Sequence, residues 1–162
     1  MAKEIKTNVM RILDKNKIDY EAIHYECDEF IDGLHTAAKT GAPVEQSFKT
    51  LIARGKTKQC YVFVIPIAQE VDLKKAAKAA GEKSMEMIHV KEINSLTGYV
   101  RGGCSPIGMK KLFPTFIDET ALLYDQFCVS AGKVGVNLCL SPQDLADFVQ
   151  ARFADLVRFP DV

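Results

Sequence analysis

The sequence predicts an α+β domain built on a mixed, partly closed β-barrel surrounded by helices. Three observations predict it. Short β-rich stretches bounded by turn residues recur along the chain and mostly join as hairpins. Helical patterns stand at the start, middle and end of the chain instead of alternating with the strands, and a sheet of that kind curls towards a barrel. The chain has 162 residues, 48% hydrophobic and 26% charged, which suits one globular domain with a real core.

Residues 7–17 read as the first helix, because Val9, Met10, Ile12 and Leu13 have helical spacing and Thr7 can cap the start. Residues 18–25 are rich in β-formers and read as a strand. Residues 32–40 read as a short helix stopped by Gly41-Ala42-Pro43. Residues 46–54 and 60–67 read as a hairpin turning at Gly55-Lys56-Thr57-Lys58. The second strand is almost continuously apolar, as a strand buried on both faces should be. Asp72 caps a helix that passes through Lys74, Lys75, Ala76, Ala77 and Ala79 and stops at Gly81. Residues 85–90 have β character and 91–96 helical character. Residues 115–118 form a short strand. Residues 127–130 and 134–140 form two more, with Ala131-Gly132-Lys133 as their turn. Ser141-Pro142-Gln143-Asp144 is a strong helix start. The stripe Leu145, Phe148, Val149 and Phe153 predicts that this last helix covers one end of the sheet.

Lys plus Arg and Asp plus Glu both number 21, so the formal net charge is zero. That excludes binding to nucleic acid through bulk charge. A local basic patch requires Lys6, Arg11, Arg54, Lys56, Lys58, Arg101, Lys110, Lys111 and Lys133 to converge. No apolar run is long enough for a bilayer span and the start of the chain has no apolar leader, so the expected compartment is the cytoplasm. The five cysteines, Cys27, Cys60, Cys104, Cys128 and Cys139, are odd in number, widely spaced and free of C-x-x-C pairs. This points away from a disulfide framework and from zinc. His24 and Cys27 have ligand-like spacing but no matching second pair. Neither a metal nor a cofactor is expected.

The unusual residues concentrate in Arg101-Gly102-Gly103-Cys104-Ser105-Pro106-Ile107-Gly108. Bare amides at Gly102 and Gly103 would form a concavity for an oxyanion, although a plain tight turn has the same composition. Cys104 offers a thiol that surrounding amides could activate. Lys49 shares a strand face with Leu51 and Ala53, where a lysine either snorkels from an edge or stands as a fixed cation beside a pocket. G-x-S-x-G, H-E-x-x-H, P-loop and dinucleotide motifs are all missing, and the three histidines suggest no triad. A strand lysine, a glycine loop and the turn Ser130-Ala131-Gly132-Lys133 remain. That set can hold an anion, orient an ester and stabilise an oxyanion, but it has no general base. It suits a substrate that supplies its own nucleophile.

The chain resembles the YbaK/EbsC family of aminoacyl-tRNA editing domains, which is related to the insertion domain of bacterial prolyl-tRNA synthetase. The resemblance rests on Phe48-Lys49-Thr50-Leu51, Val71-Asp72-Leu73-Lys74-Lys75, Thr97-Gly98-Tyr99, Gly102-Gly103-Cys104-Ser105-Pro106-Ile107-Gly108, Ile117-Asp118 and Val129-Ser130-Ala131-Gly132-Lys133. It implies the fold of that family, a single editing domain over 1–162, and deacylation of mischarged tRNA in trans. The implied partners are the 3′ end of an aminoacylated tRNA and prolyl-tRNA synthetase, with no membrane. Lys49 matches the family's essential lysine, implied to be catalytic. Gly102 and Pro106 match the ends of its G-x-x-x-P loop, so Gly102, Gly103, Ser105, Pro106 and Gly108 are implied to face the substrate. Tyr25, Thr50, Ser130 and Gly132 match its pocket positions. Asn137 departs from the pattern, since close relatives often carry an acid there, and it offers the substrate α-ammonium only a neutral carbonyl. The free-standing branch with S-P-x-G looks most like Cys-tRNA(Pro) and Cys-tRNA(Cys) deacylases, in which the substrate thiol attacks its own ester. Two other readings stay open: an Ala-tRNA(Pro) hydrolase that uses water, and a non-catalytic module that binds tRNA or a synthetase.

Overall fold

The computed structural model describes residues 6–24, 46–100 and 103–158. Helix α1 (Asn8–Lys15) opens on Thr7, whose hydroxyl accepts the Met10 N–H, and it buries Val9, Met10 and Leu13. Strand β1 (Glu21–His24) follows. The helix expected over 32–40, with Tyr25, Cys27, Arg101 and Gly102, lies outside the described residues.

Strands β2 (Phe48–Gly55) and β3 (Cys60–Pro66) form the predicted hairpin, with Lys49 opposite Ile65 and Ala53 opposite Tyr61. Every residue of β3 is buried. On its other side β3 pairs in parallel with β6 (Thr115–Asp118). Alternation divides its side chains between two cores. Val62 and Val64 join Phe48, Ile52, Val9 and Leu138 in the larger one. Tyr61, Phe63 and Ile65 join Ala53, Ala76 and Phe116 in the smaller one.

Strand β4 (Glu70–Val71) leads into helix α2 (Leu73–Ala80). The Asp72 carboxylate accepts the N–H groups of Lys74 and Lys75, and Gly81 ends the helix with φ at 74°. Strand β5 (Met85–Met87) pairs with the end of β2. The β character expected to Val90 stops earlier, because the His89 N–H donates to Glu92 and opens helix α3 (Val90–Thr97).

After β6 comes a 3₁₀ turn (Glu119–Leu123). It starts from the fully buried Asp118, whose carboxylate accepts the N–H groups of Thr120 and Leu156. Strands β7 (Phe127–Lys133) and β8 (Val136–Leu140) make the second hairpin. Its turn falls at Val134 and Gly135, not at 131–133 as the sequence suggested. Gly135 carries a φ of 100°, while Ala131 and Gly132 lie in an irregularity of β7. The resulting register sets Cys128 opposite Cys139, with Cα atoms 4.1 Å apart, and a disulfide joins them. The cysteine count had pointed away from any such bond. Two directly facing positions of a hairpin need no framework of spacings to meet.

Helix α4 (Pro142–Val149) starts as predicted, the Ser141 hydroxyl accepting the Asp144 N–H. Gln150 takes a left-handed conformation, φ 58°, and ends it. Phe153 therefore belongs to strand β9 (Arg152–Ala154) and not to the helical stripe. Strand β10 (Val157–Arg158) closes the described chain against β4.

The described strands form sheets in the orders β1-β8-β7, β5-β2-β3-β6-β9 and β10-β4. One parallel bridge, Ser47 to Cys128, links the first two. The α+β class stands, and the sheets are not closed into a barrel. Among the described residues, no helix is long and apolar enough to cross a membrane.

Candidate active site

The bridge at Ser47 and Cys128 marks where the two larger sheets touch and then part. From Lys49 to Leu51, β2 pairs with β3 on one side and with no described strand on the other, until β5 joins at Ala53. Past Cys128, β7 has β8 on one side and no described strand on the other. Among the described residues the two edges leave an unpaired stretch between the sheets, an opening in the backbone pairing. Lys49, Thr50 and Leu51 are all partly exposed there.

Register decides which side chains share this opening. Side chains alternate along a strand, and parallel bridge partners point to one face. Lys49 is two residues beyond Ser47, and Ser130 is two residues beyond Cys128, so Lys49 and Ser130 share a face. Asn137 sits directly opposite Ser130 and joins them. His24 is in register with Val136 and so takes the other face, and His89 caps α3.

Lys49 is half-buried, and among the described residues its ammonium makes no ion pair. Burial pushes its pKa below the ordinary lysine value, and the charge of Glu70 works against that shift. Among the described residues the site therefore keeps a partly desolvated cation without a fixed counter-ion, which strengthens its attraction for an incoming anion or ester oxygen.

Thr50 takes the opposite face of β2, with Phe48 and Ile52. Its hydroxyl is buried and has no hydrogen-bond partner among the described residues. The hairpin bonds at Ser47 and Gly55 fix which residues point their main-chain groups at β3. By alternation, the N–H and C=O of Thr50 face the opening instead. Ser130 accepts the Gly132 N–H at 3.1 Å, which holds its hydroxyl oxygen over the β7 irregularity.

The glycine loop meets the same hairpin. A side chain on Gly103 would come within 2.9 Å of the Val134 nitrogen and 3.2 Å of the Lys133 carbonyl carbon. The Gly103 amide is not bare, as its sequence context had suggested. It donates to the Val100 carbonyl at 3.0 Å. Ser105 is fully buried and its hydroxyl accepts the Ile107 N–H, so it braces the loop from inside. Pro106 and Gly108 line a cavity of about 270 Å³ with Ile12, Met109, Phe113 and Phe148, on the α1 and α4 side of the loop. Cys104 is buried and its thiol is pushed up to about 12 by that burial, so it is a neutral packing group and not an activated nucleophile. Thus Lys49, Ser130 and Asn137 come together, Gly132 and Gly103 adjoin them, and Ser105, Pro106 and Gly108 support the loop from behind.

The candidate basic patch is only partly available. Lys6 pairs with Asp14 at 2.6 Å and Arg54 with Glu92 at 3.1 Å. Lys133 stays exposed where Gly103 meets the hairpin, and Lys56 and Lys58 are exposed on the first hairpin turn. A larger cleft of about 750 Å³ contains none of the site residues. Asp19, Asp125 and Asp144 line it, and they would repel a phosphate backbone.

Comparison with known proteins follows the same line. Residues 34–148 match the family described as the aminoacyl-tRNA editing domain. A protein of Enterococcus faecalis, provisionally named the Cys-tRNA(Pro)/Cys-tRNA(Cys) deacylase EbsC, is 42% identical over 152 residues, 93% of each chain. Among solved structures, one described provisionally as a trans-editing enzyme for prolyl-tRNA synthetase aligns with a TM-score of 0.81 at 23% identity, over 96% of this chain and all of that one. The hypothetical protein APE2540 aligns with a TM-score of 0.84 at 21% identity, over 93% of this chain and 99% of that one. At these identities the two structures speak for the fold.

Proposed function

The chain belongs to the aminoacyl-tRNA editing domain family, and on that premise we propose that it removes cysteine from mischarged Cys-tRNA(Pro), and from Cys-tRNA(Cys), as a single domain acting in trans in the cytoplasm. The observation that carries this reading is Lys49. It is a half-buried cation without an ion pair among the described residues, on a strand face shared with Ser130 and Asn137, neither of which is a general base.

Such a site favours a substrate that brings its own nucleophile. The sulfur of the bound cysteine attacks its own ester carbonyl, the carbon–oxygen bond to the terminal ribose breaks, and the ribose oxygen takes the thiol proton. The products are tRNA and a cysteine thiolactone, which water then opens. Lys49 fixes the terminal adenosine phosphate and the ester. The Gly102 end of the loop faces the carbonyl oxygen, with Gly103 setting its approach to the hairpin. Ser130, Asn137 and Tyr25 orient the aminoacyl group, and Thr50 contributes through its main-chain N–H and C=O. A domain without net charge, with two of its candidate cations already paired, grips phosphate weakly. Delivery of the tRNA by a partner such as prolyl-tRNA synthetase fits that weakness.

The chemistry is tested by the first product. Rapid quenching of a Cys-tRNA(Pro) reaction followed by mass analysis should catch the thiolactone before free cysteine accumulates. Solvent ¹⁸O entering the first-formed product would instead identify water as the attacking group.

Thr50→Val tests the pocket from another side. Removing a buried hydroxyl that has no partner among the described residues relieves an unsatisfied polar group, which costs about 1–3 kcal/mol. The variant should melt roughly 2–12 °C higher. Its kcat/KM for Cys-tRNA(Pro) should stay within about twofold, because the hydroxyl lies on the face of β2 away from Lys49, Ser130 and Asn137. Thermal melts and single-turnover assays read the two effects separately.

A further inference from the structure

Tyr99 is held between two glycines from different parts of the chain. A side chain on Gly108 would come within 2.9 Å of its phenol oxygen, and one on Gly132 within 3.0 Å of its Cε1. Both glycines have positive φ, 75° and 95°, so each turn is shaped where the ring rests. The phenol O–H donates to the Ile107 carbonyl inside the glycine loop. The backbone of Tyr99 is fixed in turn: its N–H donates to the Thr97 hydroxyl at 3.0 Å, and its carbonyl accepts from the Asn94 side chain at 3.4 Å. One side chain therefore spans the end of α3, the glycine loop and the β7 irregularity that carries Ser130. Burial pushes the phenol up to about 12, so it stays a donor at any working pH.

We propose that Tyr99 is a positioning residue for the deacylation: it fastens the glycine loop to the β7 irregularity at Gly132 and thereby fixes the spacing between the loop and Ser130. The proposal rests on the editing reading of the site. Nothing in it requires Tyr99 to touch the substrate. Its ring faces Gly108 and Gly132, and its hydroxyl is engaged by Ile107. Misplacing two reacting groups by about 1 Å can cost on the order of 10²-fold in rate, so a loosened fastening shows in kcat before it shows in tRNA affinity.

The test is Tyr99→Phe, which keeps the ring on Gly132 and removes the hydrogen bond to the loop. Wild-type turnover of Cys-tRNA(Pro) is measured first. With an active wild type, kcat of the variant should fall about tenfold while KM for the tRNA stays within about twofold. Amides of the loop, at 103–105 and 107–109, should exchange hydrogen faster than in wild type, while those of β3 do not change. Gly108→Ala should also lower kcat. Combined with Tyr99→Phe it should cost less than the two losses multiplied, because the oxygen that the new methyl would meet is gone. An unchanged kcat in Tyr99→Phe, or a loss of kcat in which the loop exchanges no faster than it does in wild type, overturns the proposal and leaves the editing reading standing. An inactive wild type overturns the reading of the site, and the positioning role with it.

Discussion

Lys49→Met should abolish deacylation without weakening the fold. The side chain is half-buried on β2 at an opening between strand edges and has no ion pair among the described residues. Losing a preorganised electrostatic contact of this kind costs about 10²–10³-fold in rate, and kcat/KM for Cys-tRNA(Pro) should drop by at least the lower figure. Stability should move the other way. Burial lowers the pKa of Lys49 from its ordinary 10.5. The unfolded chain then binds more protons than the folded one between the two values, so wild-type stability rises with pH in that window. Below the folded value the charged side chain is a fixed penalty, and methionine does not carry it. Melts near neutral pH should therefore show Lys49→Met at or above the wild-type Tm. The gap should narrow as the pH rises towards 10.5. A variant that melts well below wild type would mean that Lys49 is a structural residue.

Gly103→Ala should damage both stability and rate. The new methyl would stand 2.9 Å from the Val134 nitrogen and 3.2 Å from the Lys133 carbonyl carbon. Both are main-chain atoms of a tight turn and cannot swing aside as a flexible side chain would. The loop must withdraw from the hairpin, at a cost of about 1–3 kcal/mol. The same displacement should lower kcat on the order of 10²-fold. Gly81→Ala is the control. It ends α2 at a φ of 74° with open space around the missing Cβ, and should cost about 1 kcal/mol with turnover unchanged. Equal loss of turnover in both variants, at matched folded fractions, would sink the claim that Gly103 sets the loop.

How far the sequence reached depends on how local each signal was. Asp72 and Gly81 bound α2, and Ser141-Pro142 open α4, because caps act within one turn of chain. The β2–β3 hairpin was legible for the same reason. The second hairpin was misread because glycine stands at both 132 and 135. Choosing the earlier turn shifts the register, pairs Cys128 with Val136, and hides the Cys128–Cys139 bond. Strands β4, β9 and β10 have two or three residues each and exist through partners far along the chain. Lys75 shows this coupling, reaching Asp155 and the Val157 carbonyl. At the site, motifs named Lys49, Ser130 and Asn137, and only the non-local bridge from Ser47 to Cys128 shows that they share a face. Glycine content suggested a free amide at Gly103, and a bond to Val100 uses it. Tyr99 was visible as part of a motif. Its seat between Gly108 and Gly132 is tertiary and left no trace in spacing.

The measurement that bears most directly on the central claim compares Cys-tRNA(Pro), Ala-tRNA(Pro) and Ser-tRNA(Pro) under single-turnover conditions, with wild type and Lys49→Met. Cysteine and serine differ in one atom, and a site whose described polar side chains, Lys49, Ser130 and Asn137, include no carboxylate or imidazole depends on the difference. The account predicts rapid loss of cysteine alone, abolished in Lys49→Met. Release of alanine or serine at a comparable rate would contradict it, and would make water the attacking group and Asn137 the residue that sets the substrate. Bound tRNA with no turnover of any substrate would contradict it more deeply, leaving a module that presents tRNA without acting on it.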